Sequence, residues 1–151
     1  MSKKLIIYTD GACSGNQSST NIGGWGAILM YRGHEKEIFG GAKNTTNNIM
    51  EMTAIIEALK LVKNKDLETE IYSDSAYIIN CINQKWYVNW RRNGWKNSKK
   101  ESVKNKELWI EMLELLESFK KVKLIKVKGH AGIEYNEKAD ELANKGIDSV
   151  R

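Results

Sequence analysis

Three strand-like stretches precede the first helix-length one, and from there helices separate the remaining strands. Lys3 to Asp10 is rich in β-branched and aromatic residues. Gly11 to Gly24 reads as a polar turn of Gly, Asn and Ser. Gly26–Tyr31 and Glu35–Phe39 flank Arg32-Gly33-His34 as a hairpin. A helix starts at the capping residues Thr46-Asn47-Asn48 and runs to about Lys63. A strand at Glu68–Ser73 follows, then a helix from Ser75 to Asn83. Residues 84–103 are irregular, aromatic and basic, with room for a short helix. Lys104–Lys120 is helical, Lys123–Val127 is a last strand, and Tyr135–Ile147 a last helix. The order β-β-β-α-β-α-α-β-α predicts an α/β fold with a mixed sheet and helices on its faces. With no proline in the chain, the turns rest on Gly, Asn and Asp.

The 151 residues fit a single domain over 1–151, and 41% hydrophobic content supports an ordinary core. No apolar run nears the roughly 18 residues that span a bilayer. Between Lys4 and Thr9 stand only four apolar or aromatic residues, too few for a signal-peptide core, so the cytoplasm is the expected compartment. Cys13 and Cys81 form no CxxC pair and read as free thiols.

Charge is unevenly spread. Residues 85–106 hold eight bases against the single acid Glu101, a local balance of +7 in a chain of +5 overall. A cationic block on a near-neutral body points to a polyanion, and eight bases in 22 residues favour phosphate contact over a merely solvated face. Trp86, Trp90 and Trp95 lie among these bases, whereas Trp25 and Trp109 lie in apolar patterns. Trp86 and Trp90, spaced i,i+4, can staple the segment to a helix.

Four acids stand out by position. Asp10 and Asp74 each end a strand, where α/β sheets tend to place ligand sites, although a lone Asp there is usually a turn or cap. Glu51 falls on the helical wheel between Ala58 and Ile55, inside the edge of the apolar stripe. A buried carboxylate needs a partner or a metal. Asp140, beside the Ala139, Leu142, Ala143, Gly146 stripe, would by itself be surface. Gathered carboxylates raise one another's pKa, and a hard divalent cation relieves that repulsion. A pair of such ions about 3.5–4 Å apart is a common device for phosphodiester hydrolysis. His130, in Lys128-Gly129-His130-Ala131-Gly132, is a surface residue or a proton shuttle.

Taken in order, Tyr8-Thr9-Asp10-Gly11, Thr45-Thr46-Asn47-Asn48-Ile49-Met50-Glu51, Ser73-Asp74-Ser75 and Val127-Lys128-Gly129-His130-Ala131-Gly132 resemble type 1 ribonuclease H. Asn136-Glu137, Asp140-Glu141-Leu142-Ala143 and Asn89-Trp90-Arg91-Arg92-Asn93-Gly94-Trp95-Lys96 continue the likeness over nearly the whole chain. The resemblance implies the ribonuclease H-like fold, a five-stranded mixed sheet flanked by helices. It implies hydrolysis of the RNA strand of an RNA–DNA hybrid to 5′-phosphate and 3′-hydroxyl ends. Asp10, Glu51, Asp74 and Asp140 would bind metal, two Mg²⁺ ions per site with Mn²⁺ as a substitute, and His130 would assist proton transfer or product release. Thr46 and Asn105 would hold a DNA phosphate, and Asn16, Asn47 and Asn48 would touch the minor groove. Trp86 and Trp90 would border the DNA channel, with Arg91, Arg92 and Lys96 in a basic protrusion spanning about residues 85–104. A monomer with no membrane association and no obligate protein partner is expected.

The chain departs from the family pattern in substrate-facing places: the longer loop at Gln17–Ile22, Asn44, Ile49, Ala76, an extra residue near Lys85, and Ile133-Glu134-Tyr135. No metal ligand is lost. Two other readings compete. A resolvase- or transposase-type nuclease of the same fold normally brings extra domains. A non-catalytic hybrid-binding module would not need all four acids.

Overall fold

The structure, a computed structural model, describes residues 4–14, 21–97, 99–127 and 134–150. Its strands are β1 (Leu5–Ser14), β2 (Ile22–Tyr31), β3 (His34–Lys43), β4 (Thr69–Ser73) and β5 (Val122–Lys126). Its helices are α1 (Asn47–Lys60), α2 (Ala76–Asn83), α3 (Trp86–Arg92), α4 (Lys106–Glu117) and α5 (Glu134–Ser149). The sheet order is β3-β2-β1-β4-β5. β2 runs antiparallel to both β1 and β3, and β1, β4 and β5 run parallel. This is the expected mixed sheet.

The glycine-rich stretch expected as a turn is partly strand. Gly11 to Ser14 pairs with Ile22 to Trp25, extending the β1–β2 ladder beyond Asp10. Glycine carries little strand propensity, but here close helix packing demands it. A Cβ on Gly23 would meet Thr45 and Met50 at the start of α1, and one on Gly24 would meet the Ala143 carbonyl of α5 at 2.0 Å. Because successive residues face opposite sides of a sheet, α1 and α5 cover opposite faces. The hairpin turn has two residues, Arg32 (φ 51°) and Gly33 (φ 81°), the all-positive pattern that suits strand twist.

Thr46 caps α1, its hydroxyl accepting the Ile49 N–H at 3.1 Å. The core lies between the sheet and α1, α2 and α4, with Ile7, Ile71, Met52, Ile55, Leu59, Ile78, Met112 and Trp109 fully buried. Residues 84–103, read as irregular with room for a short helix, contain α3. Trp90 packs edge-on against Trp109 (5.5 Å) and beside Trp95 (6.2 Å), fastening the basic segment to the core. Among the described residues, no helix is long and apolar enough to cross a membrane.

Candidate metal centre and nucleic-acid face

The strand register builds the acidic site. Tyr8 and Tyr72 are partners in the parallel β1–β4 ladder. Two residues further along stand Asp10, still within β1, and Asp74, just past the end of β4. Glu51 comes from the second turn of α1, whose neighbours Met50, Met52, Ala54 and Ile55 are buried. The expectation that Glu51 lies within the apolar stripe holds, for it is 6% exposed, and Asp10 is 4% exposed. Carboxylate oxygens of Asp10, Glu51 and Asp74 all lie within 4.8 Å of one another. Asp140, half-buried on α5, is a side-chain hydrogen-bond neighbour of Asp10. Three acids far apart in the chain therefore lie within joint reach of an ion, with Asp140 beside Asp10.

Burial pushes the Asp10 carboxyl up to about 9, helped by the charges of Glu51 and Asp74 and by hydrogen bonding to Asp140 and Glu51. Burial, then the charge of Asp74, pushes Glu51 up to about 7. Hydrogen bonds from Gly11, Asp10 and Ser73 pull Glu51 the other way without cancelling the rise. Among the described residues, no lysine or arginine pairs with either acid. Two buried carboxylates without a cation, beside two further carboxylates, form an all-oxygen donor set that fits a hard divalent ion.

Two neutral donors absent from the sequence reading hold this set. The Gly11 N–H donates to Asp10 Oδ1 (2.9 Å) and to Glu51 Oε1 (2.8 Å). A Cβ on Gly11 would stand 2.5 Å from the Glu51 nitrogen, so no larger residue allows this approach. The Ser73 hydroxyl donates to Glu51 Oε2 at 3.3 Å. Glycine after Asp10 and serine before Asp74 were visible in the motifs, but their reach to Glu51 depends on packing.

The residues expected to contact substrate distribute unevenly. Thr46, Asn47 and Asn48 are exposed at the start of α1, the helix that carries Glu51. Asn105 precedes α4 in the left-handed region (φ 60°), with its side chain not engaged in capping. Trp86 is 38% exposed and leans on Tyr77. Trp90 is half-buried on Trp109, so it staples α3 while keeping an open face. Arg92 and Lys96 are exposed. Arg91 differs: both its terminal nitrogens bind the Glu117 carboxylate, at 2.9 and 2.8 Å, and its guanidinium lies over Tyr87. This ion pair links α3 to α4. Asn16 and His130, and most of the 17–22 loop, lie outside the described residues.

Comparison with known proteins agrees with this geometry. The family model described as RNase H matches residues 2–148. A protein of Clostridium botulinum named ribonuclease H is 56% identical over 146 residues, 97% of each chain. Among solved structures, LC9-RNase H1, a type 1 RNase H with the type 2 active-site motif, superposes with a TM-score of 0.84 at 28% identity. The match covers 99% of this chain and 74% of that one. LC11-RNase H1, solved in complex with an RNA/DNA hybrid, gives 0.70 at 27% identity over 97% of this chain and 99% of that one.

Proposed function

The chain belongs to the ribonuclease H family, and from that premise we propose that it cuts the RNA strand of RNA–DNA hybrids endonucleolytically, leaving 5′-phosphate and 3′-hydroxyl ends. The observation that carries the reading is the convergence of Asp10, Glu51 and Asp74 within 4.8 Å, with Asp140 beside Asp10. These four would hold the metal, Mg²⁺ with Mn²⁺ as a substitute, two ions per site. Bound there, divalent ions would supply an activated water and charge stabilisation for the leaving oxygen.

The chain's own residues do the rest. Gly11 and Ser73 fix the plane of Glu51 with neutral hydrogen bonds, leaving its charge for the ion. Thr46 and Asn105 receive a phosphate of the DNA strand. Asn47 and Asn48, joined by Asn16, read the minor groove, where the 2′-hydroxyl distinguishes RNA from DNA. Trp86 and Trp90 border the DNA strand. Arg92 and Lys96 supply cationic contact from the protrusion at about residues 85–104, with Arg91 holding that protrusion through Glu117. His130 moves a proton or speeds product release. The chain works as one domain over 1–151 and as a monomer, without an obligate protein partner. Free thiols at Cys13 and Cys81 suit the cytoplasm.

The test is an end-labelled hybrid incubated with the protein and Mg²⁺, alongside single-stranded RNA, double-stranded RNA and duplex DNA. Cut RNA from the hybrid alone is the expected result. Binding without cleavage would make the chain a hybrid-binding module, and cleavage of duplex DNA or a junction would make it a different nuclease of this fold.

A further inference from the structure

Ser73 ends β4, directly before Asp74, and is completely buried. Its oxygen accepts the Ser75 N–H at 3.1 Å. A serine hydroxyl has one proton and two lone pairs, so accepting from Ser75 leaves its proton for Glu51 Oε2, 3.3 Å away. Ser75 in turn caps α2 by accepting the Ile78 N–H at 3.3 Å. One hydroxyl thus joins three things: the carboxylate of α1, the turn that carries Asp74, and the start of α2.

Glu51 Oε2 takes the Ser73 hydroxyl, and Oε1 takes the Gly11 N–H. The two bonds pin opposite ends of the carboxylate, so its plane cannot turn without breaking one of them. We propose that Ser73 is a positioning residue for the metal centre: its hydroxyl fixes the orientation of Glu51 relative to Asp74, and so presets the separation of two acids that must grip the same ions. The inference rests on the reading that these acids bind Mg²⁺. It adds a residue outside the acid set as a determinant of metal affinity. Loss of an outer partner of a metal ligand typically weakens metal binding about 10–100-fold.

The experiment titrates Mg²⁺ into the whole protein by calorimetry, without substrate, for wild type, Ser73→Ala, Ser73→Thr and Ser73→Cys. Ser73→Ala should weaken Mg²⁺ binding by about tenfold or more, and Ser73→Thr, which keeps the hydroxyl, should restore most of it. Ser73→Cys fills similar space with a weak donor and should fall with Ala, which keeps the test decisive if the Ala variant folds poorly. In turnover, the Mg²⁺ concentration for half-maximal rate should rise while the hybrid KM stays unchanged. A purely structural role, in which the hydroxyl only holds the Ser75 N–H, would lower folding stability and move KM while leaving the Mg²⁺ affinity of the folded protein unchanged. Folded Ala and Cys variants that bind Mg²⁺ like wild type would overturn the inference and leave the acid site intact. Wild-type protein that takes up no Mg²⁺ would overturn the metal reading and this inference with it.

Discussion

Tyr8 of β1 and Tyr72 of β4 stack face to face, their ring centroids 4.7 Å apart and their planes 10° from parallel. The pair marks the register on which the site depends, because Asp10 and Asp74 each lie two residues further on. Tyr135, in the first turn of α5, leans on Tyr8 at 5.7 Å. The same ring cluster therefore also touches the helix that brings Asp140.

Replacing Asp10 with Asn removes the charge and keeps the shape. Hydrolysis of the hybrid should vanish, whereas hybrid affinity and the folded structure should persist. Gel-shift and circular dichroism measurements on the variant check this, and near-normal turnover would refute the assignment of Asp10 to the metal.

Metal-free protein should become less stable as pH rises. Asp10 and Glu51 titrate at about 9 and about 7 in the fold, against ordinary values of 3.8 and 4.5. The folded chain therefore retains protons that the unfolded chain has already released. Stability from this source is complete below the unfolded values and is lost as pH climbs through the folded ones. Urea unfolding in EDTA from about pH 5 to about pH 9 should show a falling free energy. Saturating Mg²⁺ binds the ionised acids, so it should raise the melting temperature and flatten the slope. Equal slopes with and without Mg²⁺ would contradict a clustered site.

Gly146 lets α5 lie directly on the sheet. A Cβ there would stand 2.0 Å from the Gly40 carbonyl of β3. Gly146→Ala should gain about 1 kcal/mol of helix propensity. Overpacking against backbone typically costs about 1–3 kcal/mol, and so close a clash belongs at the upper end. A net loss of stability is expected. Because α5 must shift outward, Asp140 should move from Asp10 and turnover should fall more than hybrid binding. Denaturation and kinetics together test this; a stabilised, fully active variant would contradict it.

The basic protrusion should divide by partner. Arg91 is held by Glu117, whereas Arg92 and Lys96 are exposed. Plots of log affinity for the hybrid against log salt should lose about one unit of slope in Arg92→Ala or Lys96→Ala. Arg91→Ala should keep the wild-type slope. A reduced slope for Arg91→Ala would place its guanidinium on phosphate rather than on Glu117.

Much of the molecule was readable from local signals. β-branched strands, the Thr46 cap and the apolar stripe of α1 each follow from the chemistry of neighbouring residues, and so does the burial of Glu51. The strand character of Gly11 to Ser14 and Ile22 to Gly24 was not readable, because glycine there answers to α1 and α5, which are distant in sequence. The same holds for the ion pair of Arg91 with Glu117, 26 residues on, which its basic neighbours do not foretell.

The order of residues by itself determined the sequence of strands and helices, the basic segment, and which acids stood in positions where a carboxylate is costly. Only the tertiary structure decided that those acids meet. Their meeting depends on the parallel register of β1 and β4, the close seat of α5 on glycines, and the hydrogen bonds of Gly11 and Ser73 to Glu51. Those are non-local contacts, set by packing between elements rather than by the propensity of any one of them.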